Sequence, residues 1–225
     1  MAKQNVNDKE ALRQEALQET VSKTDQFYNE NKKTIWTVFI AVVALGLGIL
    51  GYYKYIWQPK VAEAMAQCYP CELNFQQENW EAALDGDDET LGFAALIDEY
   101  GAKAGQAAYL YAGICALRLE RYDEAVNYLK KYDGKDSIMS ARALGCLGDA
   151  YVGLEDYKAA AAAFEKAAAT ADNDFAALYL LKEGLALREL GKNADAQKCF
   201  ETIKDKYPMS IEAYDIDKYI TSTEE

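Results

Sequence analysis

Three stretches of this chain decide its fold: AAYLYAGICALRLERYDEAVNYLKKY over 107–132, RALGCLGDAYVGLEDYKAAAAAFEKA over 142–167, and LYLLKEGLALRELGKNADAQKCFETI over 178–203. Aligned, they place Gly113, Gly148 and Gly184 in register, 35 and 36 residues apart, with Ala125, Ala160 and Ala196 each 12 residues later. Leu129, Phe164 and Phe200 follow after four more residues. Tyr122 and Tyr157 share a slot just past the turn, where the third stretch has Asn193, and Pro208 closes the third unit. Apolar positions recur at the helical period on both sides of the turn, so each stretch reads as a pair of antiparallel helices. The small Gly and Ala positions mark where paired helices cross most closely. The aromatic slots fill the space between one pair and the next. A single pair cannot bury both of its apolar faces, so stability requires stacking.

This pattern resembles the tetratricopeptide repeat, whose unit is about 34 residues. The resemblance implies an all-α solenoid over 106–225: three clear repeats, then a solvating C-terminal capping helix from Ile211 to Ile220. Residues 61–105 read as a degenerate first repeat or cap. There Trp80-Glu81-Ala82-Ala83-Leu84 copies the aromatic-x-x-Ala element after a helix from Val61 to about Gln77. Asp85-Gly86-Asp87-Asp88-Glu89 then breaks the second helix, and the pattern resumes from Leu91 to Tyr100.

Upstream lies a segment of another kind. No charged side chain interrupts Thr34 to Tyr53, TIWTVFIAVVALGLGILGYY. Twenty helical residues span about 30 Å, the thickness of a bilayer's hydrocarbon core. Lys32 and Lys33 fence one end, and Lys54 and Lys60 the other. Trp36 stands at the first interface, with Tyr52, Tyr53, Tyr55 and Trp57 at the second, as aromatic belts require. We place a transmembrane anchor at 34–57. A cleaved signal fits less well, because the leader of 33 residues is too long and acidic, although Ala64-Met65-Ala66 occurs downstream. Lys23, Lys32 and Lys33 before the span outnumber Lys54 and Lys60 after it, which favours a cytoplasmic N-terminus and an exported domain. Ala44 and Gly48, with Ala41 and Gly51 near the same face, suit close approach of another helix. Residues 1–33 are a polar tail whose small apolar face (Leu12, Ala16, Val21, Phe27) supports at most a marginal helix. Gln58-Pro59-Lys60 is expected to break the chain after the anchor, since proline disfavours the helical region for its predecessor.

Composition narrows the function. Net charge is −13; the first 33 residues sum to zero, leaving 18 basic against 31 acidic residues in the remainder. Such a field repels phosphate backbones, so no nucleic-acid partner is expected. Histidine is absent, which removes the commonest general base and the commonest zinc ligand, and we expect neither an enzyme nor a cofactor.

Two motifs invite chemistry. Cys68-Tyr69-Pro70-Cys71 spaces two thiols as in a redox pair, but no strand or βαβ context precedes it. A thiol oxidoreductase is therefore the least favoured alternative. Cys115, Cys146 and Cys199 sit at core spacing and read as small packing residues. Asp85 to Glu89 suggests a calcium loop, yet the positions that need glycine and glutamate hold Thr90 and Leu96. We read a solvated loop.

Recognition therefore falls to the groove lined by the inner helices. On the register above, its exposed positions are Leu110, Ile114 and Arg118, then Arg142 and Asp149, then Leu181, Leu185 and Arg188. Apolar residues mixed with three arginines suit a protein segment with apolar anchors and some negative charge.

The whole layout is similar to bacterial membrane-anchored tetratricopeptide proteins such as the ancillary subunit of the Sec translocon. The residues that carry this are the Lys-Lys-flanked anchor, Gly92-Phe93 through Asp98-Glu99-Tyr100-Gly101, Tyr111-Ala112-Gly113-Ile114-Cys115, and Gly148-Asp149-Ala150-Tyr151. The ending Tyr207-Pro208-Met209-Ser210, with Asp215-Ile216-Asp217-Lys218-Tyr219-Ile220, completes the set. The resemblance implies a bacterial inner-membrane protein with a periplasmic repeat domain. It also implies as partners translocon subunits, a membrane-bound chaperone or newly exported chains. A scaffold for an envelope assembly such as cytochrome maturation is the alternative.

Overall fold

The computed structural model describes residues 2–171, 173 and 175–221, with side chains from Ser22 onward. It falls into two compact units, 1–59 and 60–225.

The first unit is helix α1, Ala2–Tyr52, followed by one π-helical turn, Tyr53–Trp57. The polar tail is thus helical from Ala2. Within it, the apolar window carries no burial inside the protein, and Val42, Leu45 and Leu50 are each more than 60% exposed. Among the described residues it belongs to the one helix long and apolar enough to cross a membrane. The expected break at Gln58-Pro59-Lys60 does not form. Gln58 keeps helical angles (φ −59°, ψ −46°), and its N–H reaches back five residues to the Tyr53 carbonyl. Proline has no N–H to give and its ring pushes on the carbonyl four residues back. Widening the preceding turn by one residue makes room for that ring, so helical geometry continues into α2.

The second unit is a stack of helix pairs: α2 (Gln58–Gln76), α3 (Trp80–Asp85), α4 (Phe93–Tyr100), α5 (Gln106–Arg118), α6 (Tyr122–Lys130), α7 (Ser137–Gly153), α8 (Tyr157–Ala171), α9 (Phe175–Glu189), α10 (Asn193–Lys206) and α11 (Ile216–Thr221). No strand occurs among the described residues, only an isolated bridge between Gly86 and Leu91.

One turn joins helices within each pair. After α2, α5, α7 and α9 a residue enters the left-handed region: Glu78 (φ 61°), Glu120 (59°), Glu155 (56°) and Gly191 (70°). The following N–H reaches back to close the helix end, as in Arg121 N to Ala116 O at 2.8 Å and Asp156 N to Tyr151 O at 2.9 Å. Asn79 to Asn74 and Lys192 to Leu187, both 2.9 Å, repeat it. These are Schellman closures, which satisfy carbonyls the helix leaves open. That of Glu78 shows the degenerate segment to be built on the same plan.

Packing follows the glycine register. A Cβ on Gly113 would meet Leu129 Cγ at 2.5 Å, one on Gly148 would meet Phe164 Cε1 at 2.4 Å, and one on Gly184 would meet Phe200 Cε1 at 2.3 Å. Ala125, Ala160 and Ala196 are wholly buried beside them. The Tyr122 ring fills the space over Gly153 of the next pair, and the Tyr179 ring that over Gly145. Pro208 stands just past the end of α10. The final helix is not merely solvating: Ile216 is buried with Phe200 and Ile203.

Candidate functional site

In the degenerate repeat, Cys71 stands seven residues before the left-handed Glu78, the place Gly113 holds before Glu120. It is fully buried, and its Sγ donates to the Leu91 carbonyl at 2.9 Å. The broken second helix explains this partner. After Asp85 the chain turns at Gly86 (φ 88°), and Asp87 Oδ1 accepts from Glu89 N at 3.0 Å, Thr90 N at 2.8 Å and Thr90 Oγ1 at 2.8 Å. The Asp87 carboxyl titrates low because the Thr90 hydroxyl and the backbone N–H groups of Glu89 and Thr90 hold its charged form. Leu91 then lies over α2. Cys68 takes a different partner, Glu72 Oε1 at 3.5 Å. Burial, and then the Glu72 charge, push the Cys68 thiol up to about 12, and burial pushes Cys71 up to about 11. A redox pair needs the opposite, a stabilised thiolate. Among the described residues no three Cys, Asp or Glu side chains converge as a metal site would require.

Two cavities lie along the inner helices α5, α7 and α9. A cavity of about 350 Å³ is lined by Ile114, Leu117, Arg118, Arg142, Cys146, Asp149 and Lys182. A second, of about 370 Å³, is lined by Asp149, Val152, Tyr157, Phe164, Lys182, Leu185, Ala186 and Glu189. They share Asp149 and Lys182 and so form one groove with a polar divider. Lys182 Nζ donates to both Asp149 oxygens, at 2.7 and 2.8 Å, tying α7 to α9. The same ammonium stands 5.7 Å from the centre of the Phe164 ring. Arg118 rests 5.8 Å from the centre of the Trp80 ring, which joins the degenerate repeat to the first clear one. Arg121 makes the same link by gripping both Asp85 oxygens, at 2.8 and 3.0 Å.

The expected groove residues divide. Ile114, Arg118, Arg142, Asp149 and Leu185 line the two cavities; Leu110, Leu181 and Arg188 do not. Two of the expected exposures need correction: Leu110 is 3% and Ile114 6% exposed. Both belong to the core that holds Leu84, Phe93 and Leu96, because the degenerate repeat packs over α5. Leu181 packs against Phe200 and Ile203. Cys146, expected in the core, is only partly buried and stands on the groove wall. Lys182 was missed, although it precedes Leu185 by about one helical turn and therefore shares its face.

The sequence matches agree with this architecture. Residues 107–133 and 179–210 match one tetratricopeptide repeat model, and residues 141–174 match another. No curated protein matches the chain. The second unit is a tetratricopeptide-repeat solenoid with three clear repeats, one degenerate repeat and a closing helix, and such repeats are protein-interaction modules.

Proposed function

We propose that this chain is a membrane-tethered, non-enzymatic adaptor that binds protein segments in the groove of α5, α7 and α9, with chaperone-like work at the Sec translocon as its setting. In this reading residues 1–33 form a cytoplasmic tail, 34–57 the anchor, 61–105 a degenerate repeat and cap, and 106–225 the periplasmic repeats with their closing helix. The observation that carries it is the lining itself. Three consecutive inner helices expose Arg118, then Arg142 and Val152, then Leu185 along one groove, a mixture of apolar anchor and fixed charge with no reactive constellation beside it among the described residues. The resemblance to the translocon's ancillary subunit supports the setting, and exported chains, translocon subunits or a membrane-bound chaperone are the partners it implies.

A photo-crosslinking residue at Val152 or Leu185 in intact membranes tests the groove. Exported chains or translocon subunits are the expected adducts, and an absence of adducts at both positions rejects the proposal. Protease digestion of spheroplasts tests the setting separately: the repeats should be degraded and the N-terminal tail protected.

A further inference from the structure

We infer that the cationic half of the groove seats an acidic side chain of the bound segment, and that Asp149 competes with that side chain for Lys182. This rests on the groove as the binding surface and names what one part of it takes. Each of three successive inner helices delivers one cation to the 350 Å³ cavity: Arg118 from α5, Arg142 from α7 and Lys182 from α9. Asp149 is the one carboxylate on that wall. In a chain of net charge −13 this is a local excess of positive charge. All three cations line the same cavity wall as Cys146 and oppose the rise in its thiol that burial and Asp149 cause.

Arg142 is exposed and has no carboxylate within ion-pair distance among the described residues. Arg118 leans on the Trp80 ring instead of on an acid. Among the described residues both guanidinium groups therefore retain donors for a carboxylate, which a planar fork holds well. Lys182 is already engaged, but its side chain is 32% exposed and that of Asp149 33%. A pair so open to water is weak, and an entering carboxylate exchanges with Asp149 at little cost.

The adjoining 370 Å³ cavity differs in character. Val152, Phe164, Leu185 and Ala186 make it apolar, and its own carboxylate, Glu189, disfavours an acid there. The groove thus has a direction: acidic side chain toward Arg118 and Arg142, apolar side chain toward Phe164 and Leu185. A nucleic-acid strand would need phosphate contacts along its length, which Glu189 and the overall charge oppose.

Full-length protein in mild detergent is titrated with a fluorescent Ala-rich peptide carrying Glu and Leu one helical turn apart, and with its Gln counterpart. The Glu peptide should bind about tenfold tighter, with the advantage lost in high salt. Arg142→Glu, at an exposed position, should abolish the preference, while Asp149→Asn should strengthen binding of the Glu peptide alone. Equal binding of both peptides would overturn the acidic subsite and leave the groove intact as a binding surface. Binding of neither would reject both, and binding of a single-stranded oligonucleotide as tightly as the Glu peptide would overturn the assignment to protein. Circular dichroism of each variant confirms that the helices are retained.

Discussion

Gly148 lies against the ring of Phe164 so closely that a methyl group on its Cα would stand 2.4 Å from Cε1. The two belong to the paired helices of one repeat, and the contact recurs between Gly184 and Phe200 and between Gly113 and Leu129. Added volume at such a place forces displacement, which costs about 1–3 kcal/mol. Gly148→Ala and Gly184→Ala should therefore lower the thermal midpoint by several degrees. Gly113→Ala should lower it comparably, because the atom met there is Leu129 Cγ, a branch carbon close to the backbone. An unchanged midpoint at any of the three positions would contradict this account.

The turns make a second, opposite prediction. Glu155 holds φ 56°, where a side chain costs about 1–2 kcal/mol, whereas glycine occupies the same place at Gly191. Glu155→Gly should stabilise the domain by roughly 0.5–1 kcal/mol, and Gly191→Ala should destabilise it by about 1 kcal/mol. Chemical denaturation of the two variants measures both signs.

A third concerns the thiols. With Cys68 pushed up to about 12 and Cys71 to about 11, alkylation of the native protein in mildly alkaline buffer should be slow and should accelerate on unfolding. Cys71→Ala deprives the Leu91 carbonyl of its donor and should cost about 1–2 kcal/mol, clearly more than Cys68→Ala. A fast-reacting native Cys68 would restore the case for redox chemistry.

The fourth prediction is a pH dependence. Burial, with some help from Glu165, raises the Glu183 carboxyl to about 7, against the Cys199 contact that lowers it. A carboxyl raised on folding binds its proton more tightly in the folded state, so this group's contribution to stability grows as pH falls from about 7 toward its unfolded value and is lost above neutrality. Glu183→Gln should flatten that dependence and stabilise the protein on the alkaline side by on the order of 1 kcal/mol. Thermal midpoints across the pH range decide it.

The repeat framework was legible because Gly113, Gly148 and Gly184 answer to steric necessity, and no other side chain fits where two helix axes come that close. Pro59 was misread because its local preference acts on one residue, whereas the π-helical turn redistributes the misfit over the preceding five. Leu110 was misread for the opposite reason: its burial depends on a degenerate repeat whose packing no periodicity reveals. Lys182 carried a signal in its spacing from Leu185, but a lysine at the edge of an apolar face ordinarily reads as solvated. Its pairing with Asp149, 33 residues away, appears only once the pairs are stacked.

The four turns at Glu78, Glu120, Glu155 and Gly191 share one main-chain closure, in which the residue after each reaches back across the helix end. Apart from the backbone strain that glycine relieves, the bend between partner helices therefore does not depend on which side chain those positions carry outward. Variation can accumulate along that outer rim while the inner face keeps its shape, so the chain is free to change its solubility or its neighbours without altering what it grips.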